Sequence, residues 1–369
     1  MAYTNIDDSS AYFQTALYTG TGNANNAITN DGNSDLQPDF IWFKSRDAGH
    51  SHYVVDSSRG RDKGLYPDVT NSEVTSSGST TDCQSFDTDG FTVGTPEDAN
   101  STNSSGSTKV AWQWKCNGGT TSTNTDGDIN STVQVNQAAG FSIVTYQPSN
   151  TTSRNIGHGL GTKPGFIWIR NRTRVENARV WNHRLGQGGA IIDNTSAYNT
   201  GTSNLVNTVT STTFNVGSDF SVNGGYPIVA WCWAEKKGFS SFGTYLGNLN
   251  TDGPFVYTGF KPAWIMIKRA VGGTSSYSGW GIHDSKRLAH NADDGGSKVL
   301  WAHDGYEEGK RGQGGSNSGV TARLDILSNG FKIRDNGSDE FNDPDDRYMY
   351  FAFAENPFVT STGIPTTAR

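Results

Sequence analysis

Charged residues and strong helix formers are scarce in this sequence of 369 residues. Asp, Glu, Lys and Arg make up 18 % of the chain, and its formal net charge is −7. A nucleic-acid-binding protein needs a basic surface, so this composition argues against nucleic acid as a partner. Because Leu, Met, Lys and Glu are few, strands rich in aromatic and β-branched residues are expected instead of helices.

Cysteine pairs and long apolar runs are also missing. Cys83, Cys116 and Cys232 are an odd number of thiols, and none belongs to a Cys-x-x-Cys pair. Neither a disulfide framework nor a structural zinc site is therefore expected. The N-terminus lacks the basic and apolar regions of a signal peptide, and no apolar run approaches the ~18 residues that span a bilayer. We expect a protein that is made in a cytoplasm and does not insert into a membrane.

Glycine and aromatic residues, in contrast, are abundant. The chain contains 45 Gly, 10 Trp, 14 Tyr and 18 Phe. Disordered chains are poor in aromatic residues, so this composition favours a folded β-protein with many turns. The length suits two or three domains better than a single core.

One strand motif occurs three times along the chain. It consists of a proline, a variable residue, four apolar residues and a cation, and its copies begin at Pro38, Pro164 and Pro262. Apolar residues on both faces predict a central strand that is covered on both sides. We expect Trp42, Trp168 and Met266, which follow these prolines at the same distance, to occupy equivalent buried positions.

Two further landmarks follow each copy of the motif. The first is a strand of the Gly-Phe-x-Val type near residues 90, 213 and 330. The second is a closing strand with two aromatic residues at alternate positions, which are Trp112 and Trp114, Trp231 and Trp233, and Phe351 and Phe353. Alternation places each aromatic pair on one face of its strand. We expect this face to point into a sandwich, and the alternative is a stacking platform for ligands.

The repeated order of landmarks predicts an all-β chain of three tandem, degenerate β-sandwich units. The first unit spans residues 1–119 with a short N-terminal lead, and a Ser-, Thr- and Asn-rich linker follows at residues 120–137. The second unit spans residues 138–236 and the third 237–358, and residues 359–369 form a C-terminal tail. Almost no residues separate the second and third units, so these two units are expected to pack tightly.

Polar residues concentrate between the motif strand and the Gly-Phe strand of each unit. This region carries aromatic residues together with Asp or Asn and Arg, which suits a carbohydrate because aromatic faces stack on sugars while polar groups bond hydroxyls. The alternative is an Asp–Arg pair that holds a loop over a packed aromatic residue. The third unit is the richest, and a glycine-rich stretch at residues 309–319 could close over a ligand there. The candidate ligand-binding residues are Trp280, His283, Asp284, Trp301, Tyr306, Trp181 and Asp193.

Motifs that carry catalysis are not found in the sequence. It has no Gly-x-Ser-x-Gly elbow, no phosphate-binding loop, no dinucleotide fingerprint and no paired-carboxylate strand for glycoside hydrolysis. We therefore expect no enzyme, no catalytic residue and no cofactor. The Asp-rich stretches 124–130 and 343–346 could hold a structural calcium ion, but Asx-turns explain both stretches as well.

The three strand motifs resemble those of tail-fibre-like and virion structural proteins of tailed phages, particularly phages of marine bacteria. The repeats are similar to concanavalin-A-like or SPRY-type β-sandwiches, and the resemblance covers all but the termini. It implies a protein of the virion surface that binds a host-surface glycan without catalysis. The alternative is a purely structural capsid or tail decoration or connector protein that contacts other virion proteins, and a glycan-depolymerising enzyme is a distant third. By analogy, a homo-oligomer is expected, with a trimer favoured.

Overall fold

The computed structural model describes residues 3–76, 82–95, 102–148, 153–272, 278–287, 291, 298–310, 323–334 and 341–366. Within these ranges the regular structure is β-strand, apart from a 3-10 turn at Ser9–Ala11 and one short helix, α1, at Phe220–Asn223. The shortage of helix formers explains this outcome. Among the described residues, no helix is long and apolar enough to cross a membrane.

The first third of the chain forms nine strands in two antiparallel sheets. The larger sheet has the order β1-β9-β3-β4-β5-β6, and the smaller has the order β2-β8-β7. The strands are β1 (Phe13–Thr19), β2 (Asn26–Thr29), β3 (Phe40–Ser45), β4 (Tyr53–Asp56), β5 (Gly60–Leu65), β6 (Val74–Thr75), β7 (Ser85–Asp87), β8 (Gly90–Val93) and β9 (Thr108–Trp114).

The middle of the chain forms a single sheet of eleven strands. Its order is β10-β11-β12-β20-β14-β15-β16-β18-β19-β13, and β17 pairs with β16 beside this path. The strands are β10 (Ser122–Asn124), β11 (Ser131–Asn136), β12 (Phe141–Tyr146), β13 (Arg154–Gly157), β14 (Phe166–Asn171), β15 (Arg179–Asn182), β16 (Gly188–Ile191), β17 (Asn199–Thr200), β18 (Val206–Val209), β19 (Thr213–Val216) and β20 (Ile228–Trp233).

The last third again forms two antiparallel sheets. The larger has the order β21-β28-β23-β24-β25, and the smaller has the order β22-β27-β26. The strands are β21 (Ser240–Leu246), β22 (Phe255–Tyr257), β23 (Phe260–Val271), β24 (Trp280–Asp284), β25 (Leu300–Trp301), β26 (Leu324–Leu327), β27 (Gly330–Ile333) and β28 (Arg347–Pro357).

One order of four antiparallel strands occurs three times. We call β1-β9-β3-β4 set 1, β12-β20-β14-β15 set 2 and β21-β28-β23-β24 set 3. In each set the proline-motif strand lies beside the closing aromatic strand, with Trp42 opposite Trp112, Trp168 opposite Trp231 and Met266 opposite Phe351. Trp42, Trp168 and Met266 are at most 2 % exposed, so they occupy the same register position and are all buried.

The motif strand of set 1 is covered on both faces, as its sequence predicts. On one face, Phe43 packs on Phe91 of the smaller sheet, with ring centroids 5.2 Å apart. On the other face, Trp42 packs on Trp168 of set 2 at 5.1 Å. The second cover is therefore provided by another set of strands.

The segment expected to be a linker contains strands β10 and β11. Strand β11 pairs with β12, and Gln134 lies opposite Ile143 in this register. Residues 120–137 thus form part of the sheet of the middle segment. A strand whose side chains form hydrogen bonds to a neighbouring polar surface can be rich in Ser, Thr and Asn. Its composition then resembles that of a linker.

Candidate functional site

The aromatic pairs of the closing strands meet at the centre of the molecule. The ring of Trp114 lies 6.1 Å from that of Trp233 and 5.7 Å from that of Trp264, and Trp233 lies 6.5 Å from Phe353. Ala111, on the opposite face of β9, packs instead in the core beneath the smaller sheet. In set 1 the aromatic pair therefore lies on the face directed at the other two sets, and not inside the sandwich where it was expected.

A buried acid joins set 3 to set 1. Asp284 is fully buried, and its Oδ2 accepts hydrogen bonds from Arg287 Nε at 2.6 Å and from Trp112 Nε1 at 3.0 Å. The Arg287 guanidinium also lies over the Trp112 indole, 5.6 Å from its centroid. A carboxylate can be buried at low cost only when such partners bind it. The Asp284 carboxylate therefore requires Trp112 of set 1 as well as Arg287.

A second cluster of the same kind joins set 1 to set 2. Asp56 Oδ2 accepts from Arg59 Nε at 2.6 Å and from Trp231 Nε1 at 3.0 Å, and Arg59 lies 5.4 Å from the centroid of Trp231. In both clusters the acid ends the fourth strand of one set and the arginine follows it three residues later, whereas the indole belongs to the neighbouring set. The contact therefore has a direction, from head to tail.

The third junction, between sets 2 and 3, carries a neutral version of the cluster. Asn182 lies opposite Phe166, as Asp56 lies opposite Phe40, and Leu185 follows Asn182 at the spacing of the arginines. The indole position of set 3 holds Phe351. An acid there would have neither an indole N–H nor a guanidinium as a partner, so the three substitutions are physically linked.

Backbone hydrogen bonds close the cycle of three sets in one direction. At each junction, a residue that follows the fourth strand of one set in the chain donates its backbone N–H to the next set. The acceptor is a carbonyl at the end of the proline-motif strand or just beyond it. The bonds run from Glu308 N to Arg46 O at 2.8 Å, from Glu73 N to Arg172 O at 2.6 Å and from Tyr198 N to Ala270 O at 2.9 Å. Ion pairs accompany the two charged junctions, with Arg46 2.7 Å from Glu308 and Arg172 2.8 Å from Glu73.

The cation that ends each proline motif is buried and donates a hydrogen bond to a loop carbonyl that belongs to the neighbouring part of the molecule. Lys44 Nζ donates to Gly305 O at 2.9 Å, Arg170 Nη2 to Val69 O at 2.7 Å and Lys268 Nζ to Thr195 O at 2.8 Å. Burial lowers the pKa of Lys44 and of Lys268, each to about 7. These cations are thus committed to holding the sets together.

Most of the residues suggested as a glycan site lie in these junctions. Trp280 and Trp301 are at most 2 % exposed, and Trp280 Nε1 donates to Ile191 O of the middle segment at 2.7 Å. His283 is also buried, and burial lowers its pKa to about 3. Asp284 belongs to the cluster with Trp112. This placement leaves the two indoles no face on which a sugar could stack.

The remaining suggested residues are no closer to an open site. Trp181 is 2 % exposed, and the Asp193 carboxylate lies 3.5 Å from Arg170, with a pKa that burial raises. Tyr306 is partly exposed, and its N–H donates to Asp304 Oδ1 at 3.0 Å. Of the glycine-rich stretch expected to close over a ligand, residues 311–319 lie outside the described residues.

The Asp-rich stretches form turns and ion pairs. Asp126 N donates to Asn124 Oδ1 at 3.0 Å, which is an Asx-turn. Asp343 and Asp346 both form ion pairs with Arg269, which is 3 % exposed. Across the described ranges, no three His, Cys, Asp or Glu side chains lie together in a way that could hold a metal ion.

An open cleft between sets 3 and 1 was not anticipated from the sequence. Its volume is about 700 Å³, and its lining is largely polar. It is lined by Phe13, Gln14 and Thr15 of β1 and, on the set 3 side, by Ala263, Ser285 and Lys286. No sequence motif marks it, because the two walls lie about 250 residues apart in the chain.

The fold and these contacts define an all-β protein of several antiparallel sheets, in which buried polar clusters join the sets of strands to each other. Residues 8–357 match the family described as a domain of unknown function, DUF7483, and the chain belongs to this family. No curated protein matches the chain.

Proposed function

We propose that this chain is a non-catalytic structural protein of the tailed-phage virion surface, built from three related β-sandwich units that close into a cycle within one polypeptide. The observation that carries the proposal is the set of three backbone hydrogen bonds from Glu308, Glu73 and Tyr198, which repeat one contact at all three junctions. Contacts from head to tail that close after three steps are those of a cyclic trimer. The resemblance of the strand motifs to virion proteins supports the setting.

Between the two roles suggested for such a protein, decoration or connection is favoured over glycan adhesion. The candidate glycan-binding residues Trp280 and Trp301 are buried against neighbouring strands. A virion subunit that meets other virion proteins needs a rigid body, and the junction clusters provide one. The homotrimer stays a prediction by analogy, although one chain already makes the contacts that three subunits would make.

Analysis of purified phage particles tests this proposal. We expect the protein in fixed stoichiometry by quantitative mass spectrometry, and density of its size on the particle surface by cryo-electron microscopy. Particles that lack the protein should adsorb to host cells at the normal rate if it is a decoration or connector. Absence of the chain from purified particles would refute the virion role, and loss of adsorption would favour the adhesin.

A further inference from the structure

Each set has an outer strand, and the edge of this strand on the side away from the set faces the neighbouring set. These strands are β1, β12 and β21, and backbone groups along a strand alternate between its two sides. In β1, Tyr12 O accepts from Lys115 N at 3.0 Å on the side of β9. Phe13, Thr15 and Leu17 therefore turn their N–H and C=O groups away from the sheet.

In set 2 the corresponding edge is covered by a strand. Strand β11 pairs along β12, with Gln134 opposite Ile143. The Gln134 amide fastens this strand to set 1, because its Nε2 donates to Ser57 Oγ at 2.9 Å and to Ser58 Oγ at 2.8 Å. Its Oε1 accepts from Asn117 N at 2.9 Å. The gap between sets 1 and 2 is thus filled by an extended segment.

In set 3 the corresponding edge is closed without a strand. Phe242 N donates to Glu235 Oε1 at 2.8 Å, and Phe242 O accepts from His183 Nε2 at 2.6 Å. A Cβ atom on Gly165 would lie only 2.8 Å from Phe242 Cδ2, so the sets are in direct contact. Side chains satisfy the edge here, and there is no room for another chain.

In set 1 the edge borders the open cleft. Thr15 holds the register position of Ile143 and Phe242, since all three lie opposite the first aromatic residue of a closing strand. Among the described strands, none pairs with the outer edge of β1. The Thr15 hydroxyl is buried and has no hydrogen-bond partner among the residues that the structure describes. Ser285 on the opposite wall takes the place of Ser57, which binds Gln134 in the filled gap.

We propose that this cleft receives an extended strand of another polypeptide, which adds to the edge of β1 as β11 adds to β12. Main-chain hydrogen bonds to an exposed edge supply affinity in such complexes, and side-chain pockets supply specificity. Lys286 takes the position of Ser58, so a glutamate opposite Thr15 suits the cleft better than a glutamine does. Lys286 now pairs with Asp31 at 2.6 Å, but this pair is largely exposed and an incoming carboxylate can displace it.

This inference goes beyond the proposed function, because it rests on the junctions of the chain and not on a virion setting. The incoming strand is expected to combine polar and β-branched residues, as β11 does over Ser131–Asn136. An unpaired edge with a polar wall opposite it is a template for a strand of this kind.

The test uses the full chain and a synthetic peptide with the sequence of residues 129–138 that carries the change Gln134→Glu. Hydrogen exchange at the amides of Thr15 and Leu17 should slow at least about tenfold on peptide binding. The amides of Gln14 and Ala16 face β9 and should not change. The variant Thr15→Pro should lose the peptide yet keep its fold, because the N–H it removes points away from β9.

A second variant keeps the test informative if Thr15→Pro does not fold. Lys286→Ala should weaken the glutamate peptide about tenfold and the unmodified glutamine peptide less than about twofold. Lys63→Ala, which changes a lysine in the distant strand β5, should weaken neither. Lack of protection at Thr15, or equal loss of both peptides in Lys286→Ala, would overturn the proposal. So would a homodimer of the chain that Thr15→Pro abolishes, or protection by neutral oligosaccharides but not by peptide.

Discussion

At the scale of residues, the molecule depends on two buried acids whose partners come from two sets of strands. Asp284 and Asp56 each bind an arginine of their own set and an indole of a neighbouring set. At the third junction the acid is replaced by Asn182, and within the described part of the chain the Nδ2 of this amide has no hydrogen-bond partner. The two solutions to one packing problem can therefore be exchanged experimentally.

Replacing Asp284 by Ala should destabilise the protein by about 3 kcal/mol or more, because it leaves Arg287 charged and buried. The combined change of Trp112→Phe, Asp284→Asn and Arg287→Leu copies the neutral junction into this place. We expect this triple variant to lie within about 1 kcal/mol of the parent, since the charge and its donor are removed together. Urea unfolding followed by tryptophan fluorescence and circular dichroism measures both changes.

Asn182→Ala provides the matched control at the neutral junction. The Asn182 side chain accepts a hydrogen bond from Arg184 N at 2.8 Å, so its loss should change the free energy of unfolding by about 1 kcal/mol. If the triple variant were no more stable than Asp284→Ala, the charged and neutral junctions would not be interchangeable.

At the scale of elements, strand β11 shows how a polar segment can be structural. Its neighbour β12 is largely apolar and buried, whereas β11 is held to set 1 by the amide of Gln134 and by Asn136 Nδ2, which donates to Cys116 O at 3.0 Å. The backbone N–H groups of Asn117 and Gly119 donate to the same amide oxygen, at 2.9 and 3.0 Å. One side chain thus satisfies groups of two segments.

Gln134→Ala should therefore lower the free energy of unfolding by about 1–3 kcal/mol, because the Asn117 N–H and the hydroxyls of Ser57 and Ser58 lose a buried partner. The Gly119 N–H, in contrast, keeps Asp39 Oδ1 as an acceptor at 3.0 Å. Gln137→Ala, three residues later, is the control. Gln137 makes one exposed hydrogen bond to Gly159 O, and its loss should stay within about 0.5 kcal/mol. Thermal melts of the two variants decide the matter, and equal stability would mean that the Gln134 amide does not hold β11 in place.

Much of the strand arrangement can be predicted from the sequence, whereas the junctions cannot. The proline-motif strands are apolar on both faces, and this pattern predicted β3, β14 and most of β23. The candidate sugar-binding residues illustrate why. Trp280 and Asp284, with a nearby arginine, have the composition of a sugar site, but the same groups also satisfy each other when buried. Only the partner from a distant segment, such as Trp112, distinguishes the two outcomes.

At the scale of the whole molecule, the three sets share one core. Buried aromatic residues from all of them form a single continuous cluster, and the contacts between sets close a cycle. In a cycle, every set has two neighbours, so a set that loses one junction is still held by the other and does not separate. Because the three sets also share one core, opening one junction should weaken all of them together. A chain of separate sandwiches would behave differently.

Scanning calorimetry of the full chain should accordingly give one unfolding transition, with calorimetric and van't Hoff enthalpies in agreement. The Asp284→Ala variant changes only the junction between sets 3 and 1, and it should move this whole transition to lower temperature as a single peak. Set 2 does not contain Asp284 and keeps both of its own junctions, but it shares one buried core with sets 1 and 3, so it should unfold with them at the lower temperature. Independent units would instead give several transitions, and the one that belongs to set 2 would stay in place in the variant. Hydrogen exchange at the buried strand β20 gives a second measurement, because its protection should fall along with that of β9 and β23. Unchanged protection of β20 in a destabilised variant would show that the sets unfold separately.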